Sequence, residues 1–174
     1  MSKIAAAGLA FFCLILFSMP MSAQLIPHGN VYVGVSLQHS ELVVPVNRYQ
    51  LKGLNGSAEA FPFPRLPHIS FVLDISGYYR QRPNITQYDA LLGPRLSATF
   101  GKWRPFAHAM GGIQRVSSSG INYNPVALDF GGGTDYKLFF KNFSWRLQAD
   151  YVRTHYASAN QSDYRGSTGI VWRF

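Results

Sequence analysis

The chain has 174 residues, of which 47% are hydrophobic and 15% aromatic but only 14% charged. That length holds one domain, or at most two very small ones. Ordinary soluble domains carry roughly 25% charged residues, so about half of the usual surface charge is missing. Intrinsic disorder is excluded, because it needs few aromatics and a high charge density.

Residues 1–23 read as a secretory signal peptide. Lys3 supplies the positive start, and Ile4 to Phe17 (IAAAGLAFFCLILF) is an uninterrupted apolar run. Pro20 and the small residues Ser22 and Ala23 follow, although Met21 stands where a small residue is usual. The apolar run has 14 residues. A helix needs roughly 17 to 25 to span a bilayer, so cleavage after Ala23 is expected rather than a retained anchor. The lone cysteine, Cys13, falls inside this segment. The expected mature domain, residues 24–174, then lacks disulfides, thiolate catalysis and Cys-ligated metals. Without Lys3 it carries 15 basic and 8 acidic residues. The basic residues are scattered singly from Arg48 to Arg173, with no run or helical stripe. No nucleic-acid partner is therefore expected of an exported chain, and anionic lipid headgroups, lipopolysaccharide included, are the expected counter-charge.

After Gln24 the recurring pattern is alternation with period two, which marks strands with unlike faces. In residues 30–39, Val31, Val33, Val35 and Leu37 oppose Tyr32, Gly34, Ser36 and Gln38. Residues 53–61 form the least distinct strand, small and polar. In residues 68–79, Ile69, Phe71, Leu73 and Ile75 oppose Ser70, Asp74, Ser76 and Tyr78, with Val72 the exception. Residues 87–100 set Ala90, Leu92, Leu96 and Ala98 against Asp89, Arg95, Ser97 and Thr99. Residues 105–116 and 126–137 are Gly-rich but alternate at their ends. In residues 144–154, Trp145, Leu147, Ala149 and Tyr151 oppose Arg146, Gln148 and Asp150. Residues 165–174 set Thr168, Ile170, Trp172 and Phe174 against Arg165, Ser167, Val171 and Arg173. Eight strands result. Pro94 interrupts the fourth, where a bulge is expected, or a neighbouring carbonyl satisfied by a group such as Arg95.

The connectors read as tight turns at residues 62–67, 101–104 and 138–142, and as longer polar loops at residues 40–52, 80–86, 117–124 and 156–163. Aromatic type follows the same axis. Phe61, Phe63, Phe100, Trp103, Phe106, Phe139, Phe140, Phe143, Trp145, Trp172 and Phe174 gather near the turns. Tyr49, Tyr78, Tyr79, Tyr88, Tyr123, Tyr156 and Tyr164 gather near the loops. Two aromatic bands flanking an apolar belt are what a barrel crossing two membrane–water interfaces requires. The predicted fold is therefore all-β: an eight-stranded antiparallel up-and-down transmembrane β-barrel, monomeric and without cofactor.

The charges decide which face is inside. Asp74, Asp89, Arg95, Asp129, Asp135, Arg146, Asp150, Arg165 and Arg173 fall opposite the aliphatic stripes. On a lipid face each would cost a few kcal/mol near the midplane. In an eight-stranded barrel they pair in a lumen just wide enough for side chains. Gly34, Gly93, Gly131, Gly133 and Gly169 are expected to make room there for long Arg side chains.

The segment Ser167-x-Gly169-x-x-Trp172-x-Phe174 resembles the C-terminal assembly signal of bacterial outer-membrane proteins. That resemblance implies the outer-membrane assembly machinery as a partner during biogenesis. Gly93-Pro94-Arg95, Pro105-Phe106-Ala107-His108-Ala109 and Gly131–Gly133 are similar to segments of small outer-membrane barrel proteins common in acidobacteria, with barrels of the OmpA/OmpX type. The family implies a fold and an outer-membrane address, with a structural or surface-interaction role and a plugged lumen.

Two alternatives belong beside it. His155-Tyr156-Ala157-Ser158-Ala159-Asn160 superficially resembles the His-x-Ser-Asn segment of outer-leaflet lipid A deacylases, with Asp163 as the downstream acid. His155 and Ser158 are three apart, however, and so point to opposite faces of a strand. A narrow passive channel is the other. His28, His39, His68 and His108 lack metal-ligand spacing, so no catalytic, cofactor or metal site is assigned, and His108 is expected to be lumen filler.

Overall fold

The structure, a computed structural model, describes residues 28–43, 46–63, 65–80, 85–118, 121–156 and 159–174. The predicted signal peptide and Cys13 lie outside these residues. Among the described residues there is no helix, and the strands are β1 (Gly29–Val43), β2 (Val46–Ala60), β3 (Ile69–Arg80), β4 (Ile85–Ser97), β5 (Trp103–Ser118), β6 (Ile121–Tyr123), β7 (Val126–Lys137), β8 (Phe143–Tyr156) and β9 (Ala159–Arg173). Every pairing is antiparallel. Sequential neighbours pair, β1 pairs β9, and the sheet closes on itself.

The barrel has eight staves, because β6 and β7 are one strand with a gap. Both pair with β5 in a single register, Val116 opposite Tyr123 and Ile113 opposite Val126. Pro125 has no N–H to give the ladder, yet its carbonyl still accepts the Gln114 N–H at 3.0 Å. Following ladder partners once round the barrel leads from Leu96 through Ala107, Gly132, Ala149, Gly166, Leu37, Lys52 and Tyr79 to Thr86. The path returns to β4 ten residues from its start. A stagger of that size in eight strands tilts them about 40° from the axis.

One face of each strand looks out. Val33, Val35, Leu37, Leu54, Leu73, Ile75, Leu92, Leu96, Ile113, Leu128 and Leu147 are exposed and form an apolar belt. Phe71, Phe100, Trp103, Phe143, Trp145, Trp172 and Phe174 ring the end that carries residues 29 and 174, here the terminal end. Tyr79, Tyr88, Tyr123 and Tyr164 stand exposed toward the other, the hairpin end. Tyr88 also covers the outward glycine of its partner strand: a Cβ on Gly77 would meet the Tyr88 ring at 3.4 Å.

Several local expectations are corrected. The long polar loops are mostly strand. β1 pairs β2 as far as Val43 opposite Val46, and β8 pairs β9 as far as Tyr156 opposite Ala159. The second strand begins at Val46, ahead of the expected residue 53. Alternation weakens there because neither face of a hairpin standing clear of the apolar belt needs to be greasy, while the ladder continues regardless. The terminal-end connections are the longer ones, residues 61–68 among them. The tightest is Gly101-Lys102, where Phe100 and Trp103 exchange both backbone bonds. Gly101 has φ 61°, a conformation that favours glycine.

No bulge forms at Pro94. Leu92 opposes Gly111 and Arg95 opposes His108 in one register, so no residue is inserted and only the bonds beside the proline are lost. Arg95 itself is turned to Glu59. Phe106 and Tyr78, expected in the outer aromatic bands, are buried in the lumen. They sit on β5 and β3 at the same parity as His108 and Asp74, and strand parity outranks aromatic character. Tyr49 and Tyr156 have side chains outside the described residues. The inward glycines do not make room for arginines. A Cβ on Gly131 would collide with the Asp150 carboxylate, and one on Gly34 with the Tyr32 phenol.

Candidate functional site: two charge clusters in the lumen

The inward face is mostly polar, interrupted by apolar residues such as Val72, Leu91, Met110, Ala127 and Val152, and every carboxylate whose side chain is described lies on it: Glu59, Asp74, Asp89, Asp129, Asp135, Asp150 and Asp163 are all buried. Removing charges from water costs several kcal/mol each unless partners replace the water. The partners divide the lumen into two clusters.

At the terminal end, Asp135 accepts two bonds from Arg146, from Nε at 2.7 Å and Nη2 at 3.0 Å, and one from Arg173 at 2.9 Å. This bidentate geometry suits a planar guanidinium better than any ammonium. Glu59 accepts from Arg95 Nη1 at 3.0 Å, from the Asn30 amide at 2.7 Å and from the Ser70 hydroxyl. Arg104 and Arg146 stand 3.7 and 3.8 Å from the same carboxylate. The Arg95 and Arg146 guanidiniums both lie over the Phe106 ring, 4.2 and 4.7 Å from its centroid. Those flat cations repel each other, and the aromatic ring is attractive to both. The cluster holds four arginines and two acids.

At the hairpin end a single arginine serves many acids. Arg165 donates from Nε to Asp150 at 2.6 Å, from Nη1 to Asp74 at 3.0 Å and from Nη2 to Asp129 at 2.7 Å. Asp89 is held by the Gln87 amide, and Asp163 by the amides of Gln38 and Gln161. His108 faces Asp129 and Asp150 beside this cluster. Toward the hairpins, Leu51, Tyr78, Ile85 and Val116 form a buried apolar cluster.

Of the nine residues singled out from sequence, Asp135, Arg146, Arg95 and Arg173 meet in the first cluster. Asp74, Asp129, Asp150 and Arg165 meet in the second. Asp89 lies apart on its amide. Sequence reasoning missed Glu59, Arg104 and Asp163. Glu59 sits on the strand with the weakest alternation, and its signal was its parity with Asn55 and Ser57. The segment resembling a deacylase does not assemble: His155 points outward while Asp163 is buried in the lumen, and Ser158 lies outside the described residues. At the seam, Gly29 and Phe174 exchange backbone bonds of 3.2 and 3.1 Å, and the Phe174 ring packs 5.3 Å from that of Trp172. Ser167 faces the lumen. Gly169 lets β1 approach, since a Cβ there would strike the Gly34 backbone.

A closed eight-stranded antiparallel barrel, polar and charged within and apolar without, has the architecture of the small outer-membrane β-barrels. Solved structures of that kind are similar to this chain. Neisserial surface protein A matches with a TM-score of 0.65 at 13% identity, over 84% of this chain and 96% of that one. The N-terminal barrel domain of Pseudomonas aeruginosa OprF matches at 0.57 and 15% identity, over 83% and 97%. Ail, the attachment invasion locus protein of Yersinia pestis, matches at 0.56 and 14% identity, over 84% and 98%. No protein-family model and no curated protein matches the sequence.

Proposed function

We propose that this chain is a monomeric outer-membrane protein of Gram-negative type, with a structural or surface-interaction role and a lumen plugged by its own side chains. The observation that carries this reading is the sorting of charge. All seven described carboxylates turn inward, whereas the described outward charges are basic. Lys52, Arg115 and Arg153 are exposed near the hairpin end, among the tyrosines. Cations interleaved with tyrosines at one rim suit anionic headgroups such as the phosphates of lipopolysaccharide. Exposed Arg65, Lys102, Lys137 and Lys141 stand at the terminal end too, so the proposed orientation, with the hairpin end outward, rests on the long paired hairpins that project there.

The membrane reading is tested by extraction and electrophoresis. The protein is expected to need detergent and to migrate differently before and after boiling. A mature protein that stays monodisperse without detergent overturns the reading. Lipid A mass spectrometry on expressing cells is expected to show no change, and planar-bilayer recording no steady conductance, since Arg95, Arg146 and Arg165 are each almost wholly buried within the lumen.

The assembly machinery is the proposed partner during biogenesis, through the segment from Ser167 to Phe174. Phe174→Ala removes the ring that packs on Trp172. It is expected to lower the heat-modifiable fraction in cells while leaving the detergent-refolded protein able to fold. Equal loss in both settings would make the role of Phe174 structural alone.

A further inference from the structure

The hairpin-end cluster is short of positive charge. Arg165 bonds three carboxylates, Asp74, Asp129 and Asp150, all buried. One guanidinium against three ionised carboxylates leaves two negative charges without a counter-charge in that group. In a water-excluded interior such a surplus draws in either protons or a cation.

The geometry beside Arg165 offers a cation its ligands. Arg165 takes only the Oδ2 atoms of Asp129 and Asp150. Their Oδ1 atoms are buried and make no hydrogen bond, and neither ring nitrogen of His108 makes one. These idle atoms converge. His108 Nε2 lies 3.2 Å from Asp150 Oδ1 and 3.6 Å from Asp129 Oδ1, and all three ligand atoms fall within 4.8 Å of one another. A zinc-type ion bonded at about 2.0–2.2 Å sets tetrahedral ligands roughly 3.3–3.5 Å apart. Both distances from His108 lie close to that range, and the two carboxylates come within 4.8 Å of each other.

The barrel wall explains how three strands deliver the trio. His108 on β5 and Asp150 on β8 both pair with Gly131 of β7, from opposite sides. With no side chain on Gly131, they lean together over it, and Asp129 reaches in from two residues along the same strand. Arg165, gripping the far oxygens, orients both carboxylates as an outer-shell partner does.

We propose that His108, Asp129 and Asp150 form a buried site for one divalent transition-metal ion of the zinc type. An imidazole nitrogen with two carboxylate oxygens favours such an ion over calcium or magnesium, which prefer all-oxygen shells. Its two positive charges balance the surplus around Arg165. The apolar cluster of Leu51, Tyr78, Ile85 and Val116 lies between the trio and the hairpins, so the ion enters as the barrel folds and exchanges slowly afterwards.

The test uses the mature chain refolded in detergent from metal-free buffer, with Zn²⁺ or Co²⁺ present during folding and elemental analysis after gel filtration. One equivalent of Zn²⁺ per folded chain is expected, with a tetrahedral-type visible spectrum for Co²⁺. His108→Gln keeps that position uncharged and is expected to weaken binding by about 100-fold or more, beyond the roughly 10–100-fold typical of outer-shell partners. Gly131→Ala, which pushes on the Asp150 carboxylate, is expected to weaken it too. Asp89→Asn, a lumen acid outside the trio, is expected to leave binding unchanged. Circular dichroism and gel migration confirm that each variant folds. The proposal is overturned if the folded wild type holds no stoichiometric Zn²⁺, or if folded His108→Gln binds it equally well. It is equally overturned if nitrogen-15 spectra show His108 doubly protonated and indifferent to Zn²⁺, the result expected were protons the counter-charge.

Discussion

Arg165→Met is expected to destabilise the barrel by about 3–5 kcal/mol, the range for removing one partner of a buried ion pair. Arg165 is 2% exposed and bonds Asp74, Asp129 and Asp150, which come from β3, β7 and β8, while it belongs to β9. Its removal strands three carboxylates in the lumen together. A methionine replaces the aliphatic stem but not the guanidinium, so the loss is chiefly electrostatic. Urea unfolding in detergent, followed by tryptophan fluorescence, reads the midpoint. Pairing Arg165→Met with Asp129→Asn is expected to recover part of the loss, because one stranded charge is then gone. A variant as stable as the wild type would show that this cluster does not hold the barrel together.

Ile75→Arg is expected to destabilise the barrel in a membrane and to be nearly neutral in water. Ile75 is 58% exposed on the outer face of β3, between Phe71 toward the terminal end and Tyr79 toward the hairpins. An arginine near the midplane of a lipid-facing belt costs about 2–4 kcal/mol. The same change on a soluble barrel replaces an exposed aliphatic residue with a solvated cation, is close to neutral for stability and improves solubility. Folding into vesicles at graded urea measures the difference. A vesicle-folded Ile75→Arg barrel with unchanged stability would remove the membrane placement of this belt. Asp74, the neighbouring residue on β3, points inward and is charged already, so one step along the chain exchanges a position that needs charge for one that excludes it.

That alternation is why the barrel is legible from sequence. A side chain in a closed sheet has only two directions, and parity along a strand settles which one it takes. Once Val31, Val33, Val35 and Leu37 share a face, Tyr32 and Gln38 must share the other. The nine charged residues opposite the aliphatic stripes are assigned to the interior by the same rule. Parity fails to speak where neither face is under pressure to be apolar. The hairpins beyond the apolar belt therefore read as loops although they continue as strand, and Glu59 escaped notice on a strand of small polar residues.

The amino-acid order by itself determined the eight strands, the inward and outward faces and the two aromatic bands, since each follows from local periodicity and the cost of charge in lipid. Register and closure were decided only by the tertiary structure. A ten-residue stagger around the barrel brings Asp74 beside Arg165, 91 positions away, and sets His108 and Asp150 on either side of Gly131. Parity says that a charge faces the lumen but not how high it sits there, and height is what sorts four arginines to one end and a surplus of carboxylates to the other. The low charge of the chain is thus a property of its outside, while its interior is among the most charged surfaces it has.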